Sequence, residues 1–249
     1  MRTAITLATA WLTLVAGAAL AQEPAPLSAL ETAVACQPPP TLNGPAATTL
    51  HVIGAQDTMP RALFSQRDLL VLDGGTKAGV QLGQQFFVRR PNHFGVPSGE
   101  FTGTMHTLGW IRVVAVNETT AIATVEHACD GILQGDSLEP FVAPHVSADA
   151  ERNDPTGEPD FTSLARVLGG NEDRGIGALG EFMMIDRGSS EGVTEGKRFA
   201  LYRDIRIPGM PLASIGEAVV VSVGPHVSLT RITAGRDAIR RGDYVAFRK

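Results

Sequence analysis

The chain has 249 residues, is 43% hydrophobic and 19% charged, and carries a formal net charge of −5. A mildly acidic chain has no electrostatic reason to seek nucleic acid or an anionic membrane surface. Its Lys and Arg are scattered, and the basic pairs Arg89-Arg90 and Arg240-Arg241 read as solvated strand ends.

The N-terminus reads as a secretory signal over residues 1–21. Arg2 is followed by an apolar run from Ala4 to Val15 and by the small-x-small triplet Ala19-Leu20-Ala21, predicting a mature chain that begins near Gln22. The apolar run is shorter than the roughly 20 residues a membrane span needs. No Cys stands at the predicted cut, so a lipid anchor is not expected. These features place the protein in the periplasm or outside the cell, with no span after signal removal. Residues 22–49 are rich in Pro and Ala, include Pro38-Pro39-Pro40, and read as an extended tail. The chain has two cysteines, Cys36 in this tail and Cys129. In an oxidising compartment two cysteines form one structural disulfide, pinning the tail to the first folded unit.

Residues 50–142 and 177–249 resemble each other. Leu69–Arg90 aligns without a gap on Phe182–Arg203: Asp73 meets Asp186, Gly75 meets Gly188, Gly79-Val80 meets Gly192-Val193, Gly83 meets Gly196, Phe86 meets Phe199, and Arg90 meets Arg203. Further on, Gly109 meets Gly216, Val113, Val114 and Val116 meet Val220, Val221 and Val223, Asp130 meets Asp237, and Gly135-Asp136 meets Gly242-Asp243. The change in spacing falls between Pro91 and Gly103, a loop-like stretch that tolerates indels. The pattern predicts a tandem duplication. Each copy reads as short strands separated by Gly, Pro and Asp; in the second these are Glu181–Ile185, Arg198–Ile205, Ile215–Val223, Val227–Thr233 and Gly242–Arg248. No long helical period is visible. The predicted fold is all-β: two small barrel-like or sandwich units, closed because closure removes exposed edges. Residues 143–176 hold Asp149, Asp154, Pro155, Pro159 and Asp160 and read as the linker, with one short helical turn over Ser163–Leu168.

The shared segment is Asp-x-Gly-[Ser/Thr]-x-x-Gly-Val-x-x-Gly-x-x-Phe. Present twice in an all-β chain, it suggests an aspartic-protease-like hydrolase in which Asp73 and Asp186 share a proton. Against that, Gly74 and Arg187 replace the hydroxyl residue that follows a catalytic aspartate, and the downstream glycines belong to no protease loop. The segment reads better as a structural turn in which Asp73 and Asp186 cap, while Gly75, Gly79, Gly83, Gly188, Gly192 and Gly196 permit the bends. No catalytic residue is assigned. The six histidines show no paired metal spacing, so no metal or cofactor is expected. Trp110, opposite Glu217 in the alignment, reads as core or as an exposed contact residue.

Ile185-Asp186-Arg187-Gly188-Ser189-Ser190-Glu191-Gly192-Val193, followed by Ile215-Gly216-Glu217 and Gly242-Asp243, resembles a repeat of bacterial envelope proteins. It is similar to the β-domain that follows LysM modules and to the C-terminal domain of the flagellar assembly protein T. The resemblance implies an adaptor or assembly role with a protein or cell-envelope component as partner. No LysM module is visible, so peptidoglycan binding is not implied. The expected function is an exported non-catalytic binding or scaffold protein; the alternatives are the hydrolase above and a structural subunit of an envelope assembly.

Overall fold

A computed structural model describes residues 26–41, 50–92, 104–147, 150 and 156–249. The predicted signal at 1–21 and parts of the predicted tail and linker lie outside the described residues. The first unit contains β1 (Val52–Ala55), β2 (Leu63–Phe64), β3 (Leu69–Leu72), β4 (Gln85–Asn92), β5 (Thr104–Val116), β6 (Ala121–Ala128), β7 (Ile132–Leu133) and β8 (Ser137–Pro140). The second contains β9 (Pro159–Gly169), β10 (Ile176–Gly177), β11 (Phe182–Ile185), β12 (Arg198–Arg203), β13 (Ala213–Val223), β14 (Ser228–Gly235), β15 (Ile239–Arg240) and β16 (Tyr244–Arg248).

Both units are antiparallel and share one strand order. The first sheet runs β1-β3-β6-β5-β4-β8, and a bridge between His51 and Ser137 joins its two edges. The second runs β9-β11-β14-β13-β12-β16 and closes fully, because β9 is long enough to pair with both β11 and β16. The short pairs correspond too: β2 lies against β7 as β10 lies against β15. Registers agree in detail. Val52 faces Leu72 and Gly54 faces Val71; in the second unit Val167 faces Ile185 and Gly169 faces Met184, with a bulge at the same step.

The interiors follow from strand alternation. On β6, Ala121, Ala123 and Val125 are buried while Ile122 and Thr124 are half-buried. The matching inward positions of β14 are Ser228, Thr230 and Ile232. The Ser228 and Thr230 hydroxyls donate to the backbone carbonyls of Arg187 (2.8 Å) and Met183 (2.7 Å), so the buried polar groups are satisfied. Phe86 and Val80 sit in the first core, Phe199 and Val193 in the second.

Two expectations are corrected. The tail is not wholly extended: Ala29–Ala35 forms a helix, α1. Its prolines lie outside Leu27–Gln37, and Ser28 and Glu31 make a capping box. The Ser28 hydroxyl accepts the Glu31 N–H at 3.2 Å, and the Glu31 carboxylate accepts the Ser28 N–H at 2.8 Å. The predicted linker is also shorter. Ser163–Leu168 is no helical turn but part of β9, where Ala165 and Val167 point into the barrel and pairing to β11 and β16 overrides weak local preference.

Helix α1 fastens the units. Ala35 and Cys36 pack on Phe87, Trp110, Phe141 and Cys129 on the outside of the first barrel. Leu30 and Val34 pack on Met184, Val219, Val221 and Leu229 on the outside of the second. Cys36 and Cys129 form the disulfide, with Cα atoms 5.5 Å apart. Trp110 is thus a covered residue of the outer face, stacked on His127 at 4.5 Å. The aligned positions on the second unit, Glu217 and Arg248, form an ion pair at 2.7 Å instead. Replacing both cysteines (Cys36→Ser, Cys129→Ser) should lower stability by about 2–4 kcal/mol, read as a shifted denaturation midpoint, with Trp110 emission moving to the red as α1 loosens.

Candidate functional site

The shared motif builds the barrel corner. Asp73 Oδ1 accepts the backbone N–H of His51 at 2.6 Å, and Asp186 Oδ1 accepts that of Arg166 at 2.7 Å, tying the end of β3 or β11 to the first strand of the same unit. The other Asp73 oxygen meets the His51 ring at 3.0 Å, and Asp186 pairs with Arg187 at 3.3 Å. Each carboxylate is therefore engaged within its own unit. Gly75 and Gly188 leave no room for a Cβ, which would strike the Asn117 or Gly224 carbonyl. Gly79, Gly83, Gly192 and Gly196 have φ of 80°, 79°, 77° and 78°, the left-handed region that glycine adopts without strain.

A second shared feature was visible in the alignment only as isolated matches. Arg90 clamps Asp136 through two hydrogen bonds of 2.8 Å, and Arg203 clamps Asp243 through bonds of 2.8 and 2.7 Å. Both aspartates are buried at 5% exposure and also accept a backbone N–H, from Leu133 or Arg240, at 2.6 Å. The arginines also reach the Gly131 and Ala238 carbonyls. These are bidentate, charge-assisted bonds of the strong kind. The Asp243 carboxylate raises the already high Arg203 pKa further.

Around this corner the second unit adds what the first lacks. A cleft of about 700 Å³ is lined by Arg166, Arg203, Arg206, Arg240 and Arg241, with Asp204, Asp243 and Tyr244. Of the five arginines only Arg203 has an arginine counterpart; His51, Leu133 and Gln134 stand at the positions of Arg166, Arg240 and Arg241. The side chains of Arg166 and Arg203 are held in place. Arg166 lies over the Tyr244 ring at 3.4 Å and donates to the Gly242 carbonyl at 2.7 Å. Arg206 adopts φ 59° in a turn closed by its N–H on Asp204 at 2.7 Å. Arg206 and Arg240 are exposed, and beside them the β12–β13 connection exposes Ile205, Ile207 and Met210. Five arginines against two aspartates give a cationic cleft on an acidic chain, suited to a carboxylate or phosphate. Arg240-Arg241, read as a solvated strand end, also lines this cleft, with Arg240 ending β15. The pair was legible as sequence, but its convergence with Arg166 and Arg206 depends on barrel closure by β9.

The trio Cys36, His127 and Cys129 has metal-ligand proximity, but both sulfurs are consumed by the disulfide. The chain matches no protein-family model, and no curated protein shows significant similarity to it.

Breaking a buried pair strands one charge. Asp243→Ala and Asp136→Ala should each cost about 3 kcal/mol in urea unfolding, whereas the paired replacement Arg203→Met with Asp243→Leu should restore a large part of that loss.

Proposed function

We propose that the protein is an exported, non-catalytic binding or scaffold protein of the bacterial cell envelope, and that the cleft of its second unit grips an acidic, partly apolar segment of a protein partner. The observation that carries this reading is the set of arginines added to a corner that both units otherwise build alike. A feature repeated in both units serves the fold; four arginines present in one unit alone do not follow from it. The exposed Ile205, Ile207 and Met210 beside the cleft favour a ligand with apolar as well as acidic groups. A net charge of −5 opposes approach to a broad anionic membrane, while a local cationic cleft still focuses a single acidic segment.

Export is supported by the leader-like N-terminus together with the disulfide. Among the described residues no helix is long and apolar enough to cross a membrane. The resemblance to envelope adaptor domains points the same way. The units do not act as loosely tethered copies, because α1 packs on both; a single rigid platform fits a scaffold better than avidity through a flexible tether.

A fluorescent peptide of alternating Glu and Leu is the direct probe, with its Gln analogue and anionic lipid vesicles as comparisons. The wild type should bind the Glu peptide, less tightly as salt rises. The double reversal Arg206→Glu with Arg240→Glu should weaken binding by at least about tenfold, or 1.4 kcal/mol. Equal binding by that variant, or preference for vesicles, would overturn the reading.

A further inference from the structure

His106 is the one buried histidine among the described residues. It lies on β5 opposite Arg90, is 8% exposed, and its Nε2 has no hydrogen-bond partner. A buried polar atom without a partner is costly and calls for an explanation. That nitrogen faces two carboxylates: Asp130 Oδ2 at 3.6 Å and Glu172 Oε1 at 3.7 Å. The three ligand atoms lie within 4.8 Å of one another. The distances are long for hydrogen bonds. They suit donors sharing one ion, since two ligands about 2.1 Å from a zinc-class metal stand roughly 3.4–3.6 Å apart.

Each donor is positioned. Asp130 follows the disulfide residue Cys129, and its Oδ1 is fixed by the Gly131 N–H at 2.6 Å, leaving Oδ2 toward the imidazole. Glu172 comes from the second unit, on the 3-10 turn Asn171–Asp173, and is one of three non-glycine residues with positive φ among those described (56°). A left-handed glutamate is unusual and marks a position held by its surroundings. The turn is tied to the first unit's staple by Asn171, whose Nδ2 donates to the Cys36 carbonyl at 3.3 Å. Arg90 is the nearby opposing charge, but its guanidinium is neutralised by Asp136. The second unit has no such trio: Ala213 replaces His106, and Asp237, aligned with Asp130, is bonded to Arg203 at 2.5 Å.

We propose that His106, Asp130 and Glu172 form a three-ligand site for a divalent transition-metal ion of the zinc class, completed by water, that clamps the first unit to the second. One imidazole with two carboxylates is a borderline donor set that suits zinc or manganese. The ion joins three segments of separate origin: β5, the disulfide loop and the turn after β9. It thereby restrains the seam that α1 fills.

The test is calorimetric titration of the tag-free, disulfide-bonded full chain, stripped by a chelator, with Zn²⁺, and with Mg²⁺ as a hard-cation comparison. The wild type should take up one equivalent of Zn²⁺ in preference to Mg²⁺, with a rise in melting temperature. His106→Ala and Glu172→Gln should each weaken uptake by at least about tenfold and abolish the thermal shift; His226→Ala should leave both unchanged. Ala213 occupies the same barrel position in the second unit, so His106→Ala is compatible with the fold, and Glu172 lies on an exposed turn. Absence of one-equivalent uptake, equal response to Mg²⁺, or wild-type affinity in the His106 and Glu172 variants would overturn the assignment.

Discussion

The arrangement of this molecule depends on a seven-residue helix with two apolar sides. Val34 and Ala35 are neighbours in sequence, yet one is buried against the second barrel and the other against the first. Adjacent helical residues point about 100° apart, so a single short helix serves both surfaces only when the barrels close around it. So short a helix is marginal alone in water; the capping box, the disulfide one residue beyond its end and burial on two sides compensate. The helix in turn covers part of the aromatic patch of Phe87, Trp110 and Phe141 on the first unit and of Met184, Val219 and Leu229 on the second.

The units are alike inside and unlike outside. Inward positions keep apolar or small character, and both barrel corners retain the Arg–Asp clamp. Outward positions diverge according to what covers them. Trp110 and Phe141 lie beneath α1, whereas the aligned Glu217 and Arg248 form an ion pair. The same logic separates fold from function. Asp73, Asp186 and their glycines do corresponding work in both units, so their chemistry is that of turns. The arginines at 166, 206, 240 and 241 and the histidine at 106 belong to one unit each and are not demanded by the barrel.

Much of the fold was readable in the chain, because turn glycines and inward valines repeat in fixed order and strand pairing in a small barrel allows few alternatives. The first strand of the second unit was not, since Phe161 to Leu168 lacks a strong β-branched run and follows polar, proline-containing residues, and one of its two pairing partners, β16, lies far along the chain. Helix α1 carried a local signal in Ser28 and Glu31, masked by surrounding prolines. The candidate sites were less legible still. Arg166 and Arg240 meet only because β9 pairs with β16, and Glu172 reaches His106 only because the units are packed together. Spacing rules detect ligands on one element; neither site is built that way.

The two sites occupy one location in the repeated fold. In the second unit the clamp of Arg203 on Asp243 forms part of the arginine cleft, and Asp237 tightens it. In the first, Arg90 clamps Asp136 in the same manner, but Asp130, aligned with Asp237, turns to His106. A rigid, charge-neutral clamp leaves the net sign of its surroundings to be set by a few neighbours, because charges already paired contribute little field at a distance. Added arginines make that corner cationic; an imidazole with two carboxylates makes it a cation ligand. A duplicated barrel can thus present opposite electrostatic faces from one architectural corner, at the cost of only a few substitutions that leave strand order and core untouched.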